Sequence, residues 1–471
     1  VQDKPLKNSP HINYIKLFIN IKARQDESEP RFVGRILEHK KENLLLRRIS
    51  LSVTFKQRGD PAMRKTMLIL ILCTILLIPV SLSIAYAAPQ RGQNSSEEQL
   101  SHTDFAFALM SELIKEQPGK NIIISPLSIE LALSMTCNGA RGETEKAIVK
   151  TMGIPDIAGA ALNKRNQDLL KRLADKDKDV EMAIANSIWT RPGVRFNKDF
   201  VSQVAQYYSA EVRNVLDAAE INGWLVKRTK GRIKKIIDTI SADSVMVILN
   251  AIYFKGTWTT PFSKNKTGNH PFHLNDNETV NVPLMRRENV NGYAKFDDFQ
   301  TVYLTYGNAK AYRMYIFCPD KITGLSGFLS QLNSKNWNLF MKGFNKPVVI
   351  KNREQLTKCQ LMLPRFTAEY ENEMNKPLSK MGMEIAFNPE RADFSGMSAE
   401  KLFIEKVRHK CCVDVNEEGT EASAATAVIM SRDSLPTVLV NRPFFFAITH
   451  NDSATILFMG AIYSPVTRTR N

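Results

Sequence analysis

The stretch Asn416–Pro436 reads NEEGTEASAATAVIMSRDSLP, and its conformational ambiguity sets it apart from the rest of the chain. It opens with two glutamates and a glycine, then runs through small and β-branched residues with no proline before Pro436. Taken as a strand, Thr420, Ala422, Ala424, Thr426 and Val428 share one face, and Glu421, Ser423, Ala425 and Ala427 the other. The first face carries no charge and little bulk. Such a segment is soluble when exposed, yet fits inside a sheet without burying a charge. Alanine favours helix while threonine, valine and isoleucine favour strand, so propensity leaves an edge strand, an alanine-rich helix and a switching segment all open.

The chain around it has 471 residues, 43% of them hydrophobic and 24% charged, which excludes collagen-like, low-complexity and wholly disordered proteins. Apolar residues at Phe105, Leu109 and Leu113 mark a helix from Ser101, preceded by a polar lead, 89–100, expected to be flexible. Asn121–Ser125 (NIIIS) reads as a short strand, with Pro126 opening a second helix through Cys137. A third helix over 161–174 turns Leu162, Leu169, Leu170 and Leu173 inward. Strand-like runs follow at 183–190, 246–255, 302–306, 310–317, 359–366, 402–408, 411–415, 437–440, 444–449 and 455–461. Strands and helices are interspersed without βαβ alternation or an internal repeat, which predicts an α+β domain with large antiparallel sheets.

Enzyme signatures are missing: the chain has no HExxH, GxSxG, Walker loop or GxGxxG. His270 and His273 lack companions at metal spacing, and on a strand His409 and Cys411 share a face that Cys412 leaves, so no metal or other cofactor is expected.

Six motifs, in order, resemble the serpin family across essentially all of residues 101–463. They are NIIISPLSIELALSMTCNGARGETEKAI, INGWLVKRTKGRIKKII, LNAIYFKGTW, PFHLNDNETVNVPLM, LFIEKVRHKCCVDVNEEGTEA and VNRPFFFAITHNDSATILFMGAI. The resemblance implies three β-sheets, eight or nine helices and an exposed reactive loop, here 417–436. It also implies a suicide-substrate inhibitor of serine endopeptidases, in which the cleaved loop inserts into the main sheet and traps the acyl-enzyme, a behaviour already documented for these proteins. No catalytic residue is implied. The alternative is a non-inhibitory member acting as carrier, chaperone or storage protein, and the uncharged hinge face favours inhibition.

Carried over residue by residue, the resemblance implies a hinge at Glu417, Glu418, Gly419, Thr420, Glu421, Ala422, Ala424 and Thr426. It implies a polar cluster where the sheet parts, Ser125, Ser128, Asn250 and His409, and an aromatic residue at the top of the sheet, Trp258. Ser423 stands where alanine is usual, on the outward face. The bond attacked lies about fourteen residues past the hinge glycine. Counting from Gly419 gives Asp433–Ser434, while a loop one residue shorter puts Arg432 at the site. An arginine matches the acidic pocket of a trypsin-like protease through charge-assisted bidentate hydrogen bonds, so Arg432 is preferred.

Residues 67–88 (MLILILCTILLIPVSLSIAYAA) carry no charge, follow Arg64 and Lys65, and end in small residues after Pro79. Segment 63–87 is expected to be a secretory signal peptide, with a membrane signal anchor as the alternative. Met63 or Met67 is the expected start, residues 1–62 being an artefact of gene prediction, and 88–471 the folded domain. Half of the net charge of +16 comes from residues 1–65, so the body is only mildly basic and no nucleic-acid partner is expected. Beyond Cys73, five cysteines are an odd number with two adjacent, which predicts buried thiols rather than disulfides. An exported chain offers glycosylation sequons at Asn94, Asn265, Asn277 and Asn451. Lys164, Arg165, Lys171 and Arg172 recur at seven-residue spacing and form a candidate glycosaminoglycan face, although Asp168 dilutes it. The second basic run, Lys227 to Lys235, is expected to be structural. A monomer with a target protease as partner is the expectation.

Overall fold

A computed structural model describes residues 18–20, 50–52, 93–154, 157, 159–173, 177–215, 217–241, 244–344, 348–350, 353–356, 358–418, 435–451, 453 and 455–466. The chain forms two compact units, Val1–Gln90 and Arg91–Asn471. In the first, Phe18–Asn20 pairs in parallel with Ser50–Ser52. The proposed signal segment lies outside the described residues.

The second unit contains three large sheets and nine α-helices among the described residues. A six-stranded sheet runs Ile122–Ile124, Ile456–Ile462, Phe444–His450, Tyr312–Pro319, Phe299–Tyr306 and Tyr293–Lys295. Ile456–Ile462 and Phe444–His450 are buried at every position, whereas Phe299–Tyr306 alternates. Unbroken apolar runs such as FFFAI therefore belong to strands covered on both faces. A four-stranded sheet contains Thr437–Leu439, Lys358–Pro364, Thr279–Asn291 and Gly268–His273. Gly268–His273 is its edge strand, where Pro271 removes no ladder donor that the sheet needs. A separate small pair joins Val348–Ile350 to Arg353–Leu356.

The main sheet has five strands in the order Phe366–Glu373, Lys406–Val415, Met246–Gly256, Val180–Thr190 and Glu211–Arg213. Met246–Gly256 is the central strand, and Lys406–Val415 is the lead-in strand, since it runs toward the segment that opened the sequence analysis.

Several boundaries differ from the sequence reading. The expected flexible lead is helical from Gln93, forming one helix through Glu116, because Glu97, Glu98 and Gln99 are good helix formers with no proline or glycine among them. The two strands expected at 402–408 and 411–415 are one, Lys406–Val415, which His409 does not interrupt because its ring is satisfied inside the core. The run 359–366 divides at Arg365: Lys358–Pro364 belongs to the four-stranded sheet and Phe366–Glu373 to the main sheet. The helix expected at 161–174 spans Gly159–Leu173 and is the fourth in chain order, since Gly142–Thr151 precedes it; on it Leu162, Leu169 and Leu173 are buried while Leu170 is half-buried.

The helix Pro126–Cys137 is buried at every residue. A helix apolar nearly all round belongs inside the fold rather than on its surface. Its start is set locally: Pro126 occupies the first turn, and the Ser125 hydroxyl caps it by accepting from the Ser128 N–H at 3.2 Å.

Candidate functional site at the seam of the main sheet

The central and lead-in strands pair in parallel, from Lys406 opposite Val247 to Val413 opposite Phe254. The strands outside them, Val180–Thr190 and Phe366–Glu373, pair antiparallel to their neighbours. Parallel ladders are slightly weaker per residue than antiparallel ones, and this seam joins strands distant in sequence. A further strand running antiparallel to both would fit between them and replace one parallel ladder with two antiparallel ones.

A polar row crosses the seam at mid-height. In register, Asn372 stands opposite His409, His409 opposite Asn250, and Asn250 opposite Asn186. His409 Nδ1–H donates to Asn250 Oδ1 at 2.5 Å, and its Nε2 accepts from the Ser125 N–H at 3.3 Å. The Asn250 amide nitrogen donates to the Ser128 carbonyl at 2.8 Å, to Ser128 Oγ at 2.5 Å and to Asn186 Oδ1 at 2.5 Å. Ser125, Ser128, Asn250 and His409 thus meet in one buried cluster joining both sides of the seam to the helix beneath it. Asn186 and Asn372 belong to the same row and were not singled out from sequence; a lone amide inside the apolar run Ala183–Trp189 was the only signal for Asn186.

This cluster performs no catalysis. His409 receives its serine contact from the Ser125 backbone N–H, so no hydroxyl is aligned for proton removal. Burial lowers the His409 pKa from 6.5 to about 3, holding the ring neutral. Because the unfolded chain takes up this proton near its ordinary pKa and the folded chain refuses it, the stability is fully present above about pH 6.5 and falls below it. The loss should approach about 1.4 kcal/mol per pH unit from this group alone. Urea midpoints measured from pH 7.5 down to 4.5 should therefore fall more steeply for the wild type than for His409→Asn. Parallel curves would refute the assignment.

At the top of the seam, Trp258 is buried and stacks on Tyr306 with centroids 4.2 Å apart. Gly256 permits this packing, since a Cβ there would stand 2.5 Å from the Tyr306 ring. Trp258 Nε1–H donates to the Asn416 carbonyl at 2.8 Å, and the Phe262 N–H donates to the Glu417 carbonyl at 3.0 Å. Glu417 is buried, with Arg365 Nη1 at 3.5 Å, while Lys264 pairs with Glu418. The Lys264 pairing lowers the Glu418 pKa. Beside them opens a groove of about 470 Å³, lined by Asp414, Asn416, Arg365 and Pro465 among others. The chain is held again beyond the loop, where the Gln360 N–H donates to the Pro436 carbonyl at 2.8 Å and Thr437–Leu439 joins the four-stranded sheet. Gly419, Thr420, Glu421, Ala422, Ala424 and Thr426 lie outside the described residues, as do Arg432, Asp433 and Ser434.

The outer face of the seam is covered. Ile221, Trp224 and Leu225 of the helix Ala218–Arg228, with Ile233, Ile236 and Ile237 after it, pack in a separate apolar cluster on the main sheet. From the sheet, Val247, Leu249, Ala251 and Tyr253 of the central strand and Cys412 of the lead-in strand join that cluster. Cys411 faces the other way, and its thiol donates to the Ile123 carbonyl at 3.1 Å. All five cysteines among the described residues are free and buried. No group of three or more potential metal ligands occurs among those residues.

The basic face expected on the helix Gly159–Leu173 needs correction. Arg165 turns inward and pairs with buried Glu130 at 2.5 Å, and Glu130 also meets His102 Nδ1 at 2.5 Å. Despite the burial of Glu130, the Arg165 guanidinium, with the His102 ring also hydrogen-bonded to the carboxylate, holds the Glu130 pKa at about 2. Lys164 pairs with Asp168 at 2.7 Å, leaving only Lys171 and Arg172 of the four without a carboxylate partner among the described ion pairs. Seven-residue spacing cannot reveal that a buried carboxylate draws Arg165 inward while Lys164, Lys171 and Arg172 stay exposed.

A family profile described as Serpin (serine protease inhibitor) matches residues 100–465. The leukocyte elastase inhibitor of Sus scrofa is 35% identical over 392 residues, covering 78% of this chain and 100% of the relative. Plasminogen activator inhibitor 2 of Homo sapiens is 31% identical over 417 residues, covering 78% and 99% respectively. Among solved structures, human glycosylated kallistatin superposes with a TM-score of 0.72 at 26% identity, covering 79% of this chain and 99% of its own.

Proposed function

The chain belongs to the serpin family of protease inhibitors, which block proteases rather than act as enzymes, and we propose that it is a secreted suicide substrate for a trypsin-like serine endopeptidase. The observation that carries this reading is the closed parallel seam with the root of the loop fixed at its top. The protease serine attacks the Arg432 carbonyl carbon, and the Arg432–Asp433 bond breaks with release of the Asp433 amine. The segment 419–432, now tethered only at Glu418, turns at Gly419 and descends between the lead-in and central strands, antiparallel to both. Thr420, Ala422, Ala424 and Thr426 then face the buried side without introducing a charge. The sheet gains two antiparallel ladders, and the attached acyl-enzyme is carried away from the loop's original position. Distortion of its catalytic groups leaves the ester unhydrolysed.

Parting the seam costs the His409–Asn250 hydrogen bond and those of its neighbours, which delays insertion until cleavage frees the loop. The carrier alternative is separated by one gel. Incubation with trypsin should yield an equimolar complex that survives boiling in SDS, whereas a carrier would be cleaved or ignored and form no such species.

Secretion through segment 63–87 carries its own expected result. Asn265 and Asn277 are exposed on turns, while the half-buried Asn451 donates through its side-chain nitrogen to the Lys310 carbonyl. Protein from a eukaryotic secretory host should therefore carry glycans at Asn265 and Asn277, with Asn451 largely unmodified. Peptide mapping after glycosidase treatment reads this directly. Unmodified Asn265 and Asn277 in recovered medium, or retention of the chain in membranes, would contradict this reading.

A further inference from the structure

One pair of strands in the second unit belongs to none of the three large sheets. Val348–Ile350 pairs antiparallel with Arg353–Leu356, with Val348 opposite Leu356. Leu356 stands two residues before Lys358, the first residue of a strand in the four-stranded sheet, so connectivity keeps the two within about 7 Å. The reactive loop returns at the same end. Thr437–Leu439 pairs in parallel with that strand from Thr437 opposite Gln360, and the Gln360 N–H donates to the Pro436 carbonyl at 2.8 Å. Segment 342–358 carries five Lys or Arg against the single Glu354. On the solvent face of the sheet beside it, Lys358 is exposed, and Arg286, opposite Met362, donates to Gln360 Oε1 at 3.4 Å. Lys266 and Arg286 share one carboxylate, Glu288, at 3.4 and 3.6 Å. Lys358 has no carboxylate partner among the described ion pairs.

We propose that the strand pair and the basic end of the four-stranded sheet form a second contact for the target protease, outside the reactive loop. The contact selects proteases with an acidic surface beside the part of the cleft that takes residues after the scissile bond. Reach decides the partner. Arg432 stands four residues before Pro436, so the attacked carbonyl lies at most about 14 Å from the sheet, and attack at Asp433 shortens this to three residues. A serine protease domain of roughly 220 residues has a radius of gyration of about 17 Å, larger than that distance. A protease seated on the bond therefore meets this end of the sheet, and residues 433–436 lead from the far side of its cleft toward it. An arginine at the bond does not separate one trypsin-like protease from another, because their pockets are alike. Cations outside the loop do so, by attracting or repelling the surface around the pocket. Because these cations are exposed, the contact acts mainly on the rate of encounter and weakens with salt. It rests on the reading of the loop as the protease's substrate, and not on the later insertion.

The test uses the full chain with anionic and cationic trypsins, which share one pocket specificity and differ in surface charge. The wild type should form its complex faster with the anionic enzyme. The triple variant Arg286→Gln, Arg353→Gln, Lys358→Gln should react about five-fold or more slowly with anionic trypsin in low salt, with a shallower dependence on salt concentration. With cationic trypsin it should react no more slowly than the wild type. Lys164→Gln, Lys171→Gln, Arg172→Gln removes the same charge from the helix Gly159–Leu173 and should react as the wild type with both enzymes. Both variants should keep the wild-type thermal midpoint, which excludes misfolding. An unchanged rate in the first variant, equal losses with the two trypsins, or an equal loss in the helix variant would overturn the proposal. Loop cleavage is read in the same mixtures. If the wild type is cut but not trapped, the inhibitory reading fails, and cleavage rates then judge the contact: the same difference between variants keeps it, and equal rates overturn it. Neither cleavage nor complex with either trypsin would overturn both.

Discussion

Replacing Arg432 by alanine is expected to abolish the trapping of trypsin while leaving the fold intact. An arginine in an acidic specificity pocket makes a buried, bidentate, charge-assisted pair. Truncating one member of such a pair costs about 3 kcal/mol or more, so the rate of complex formation should fall by roughly a hundred-fold or more. Urea and thermal midpoints should not change, because the role proposed for Arg432 lies in the protease's specificity pocket and not in this chain's own fold. Asp433→Ala should trap trypsin nearly as well as the wild type. Persistent trapping by Arg432→Ala, or trapping that follows Asp433 with an Asp-specific protease, would move the bond to Asp433–Ser434.

The second large effect tests the alternation along the hinge. Ala424→Arg should convert the chain from an inhibitor into a substrate, since Ala424 shares the uncharged face with Thr420, Ala422 and Thr426. An arginine there would have to enter the seam, a cluster of buried apolar and neutral polar groups, without a partner. That costs several kcal/mol and slows insertion. Hydrolysis of the acyl-enzyme then wins, and the inhibitor consumed per protease should rise from about one to about ten or more. Initial cleavage should be unaffected. The neighbouring Ala425→Arg places the same charge on the opposite face and should leave trapping nearly unchanged. If both variants, or neither, lose the complex, alternate-face insertion is wrong.

The sequence made the local features legible and left the long-range ones hidden. Ser125 followed by Pro126 announced a capped helix because capping is a matter of adjacent residues. Cys411 and Cys412 separated onto two faces because a strand alternates whatever its neighbours. Register could not be read this way. Asn186, Asn250, His409 and Asn372 become one row only when four strands, distant in sequence, are aligned. The same holds for Arg165, whose spacing placed it on a helix face that Glu130 turns inward. The Glu417–Arg365 pair depends on Arg365 sitting where the chain leaves one sheet for another. Thr279–Asn291 escapes a reading by alternation because Pro283 and a run of charged residues interrupt the pattern, and because the strand carries an extra residue between Arg287 and Val290 that its partner lacks.

The central claim is that the cleaved loop becomes a strand in the seam, and the unfolding midpoint before and after loop cleavage tests it most directly. The loop can be cut by limited proteolysis between Gly419 and Ser434, with the C-terminal piece left in place by its strands. Insertion adds two antiparallel ladders and buries the uncharged hinge face, worth several kcal/mol. At about 2–4 °C per kcal/mol for a large domain, the midpoint should rise by more than about 10 °C. A midpoint that stays level or falls after cleavage would mean that the seam does not accept the loop, and the inhibitory account would fail with it.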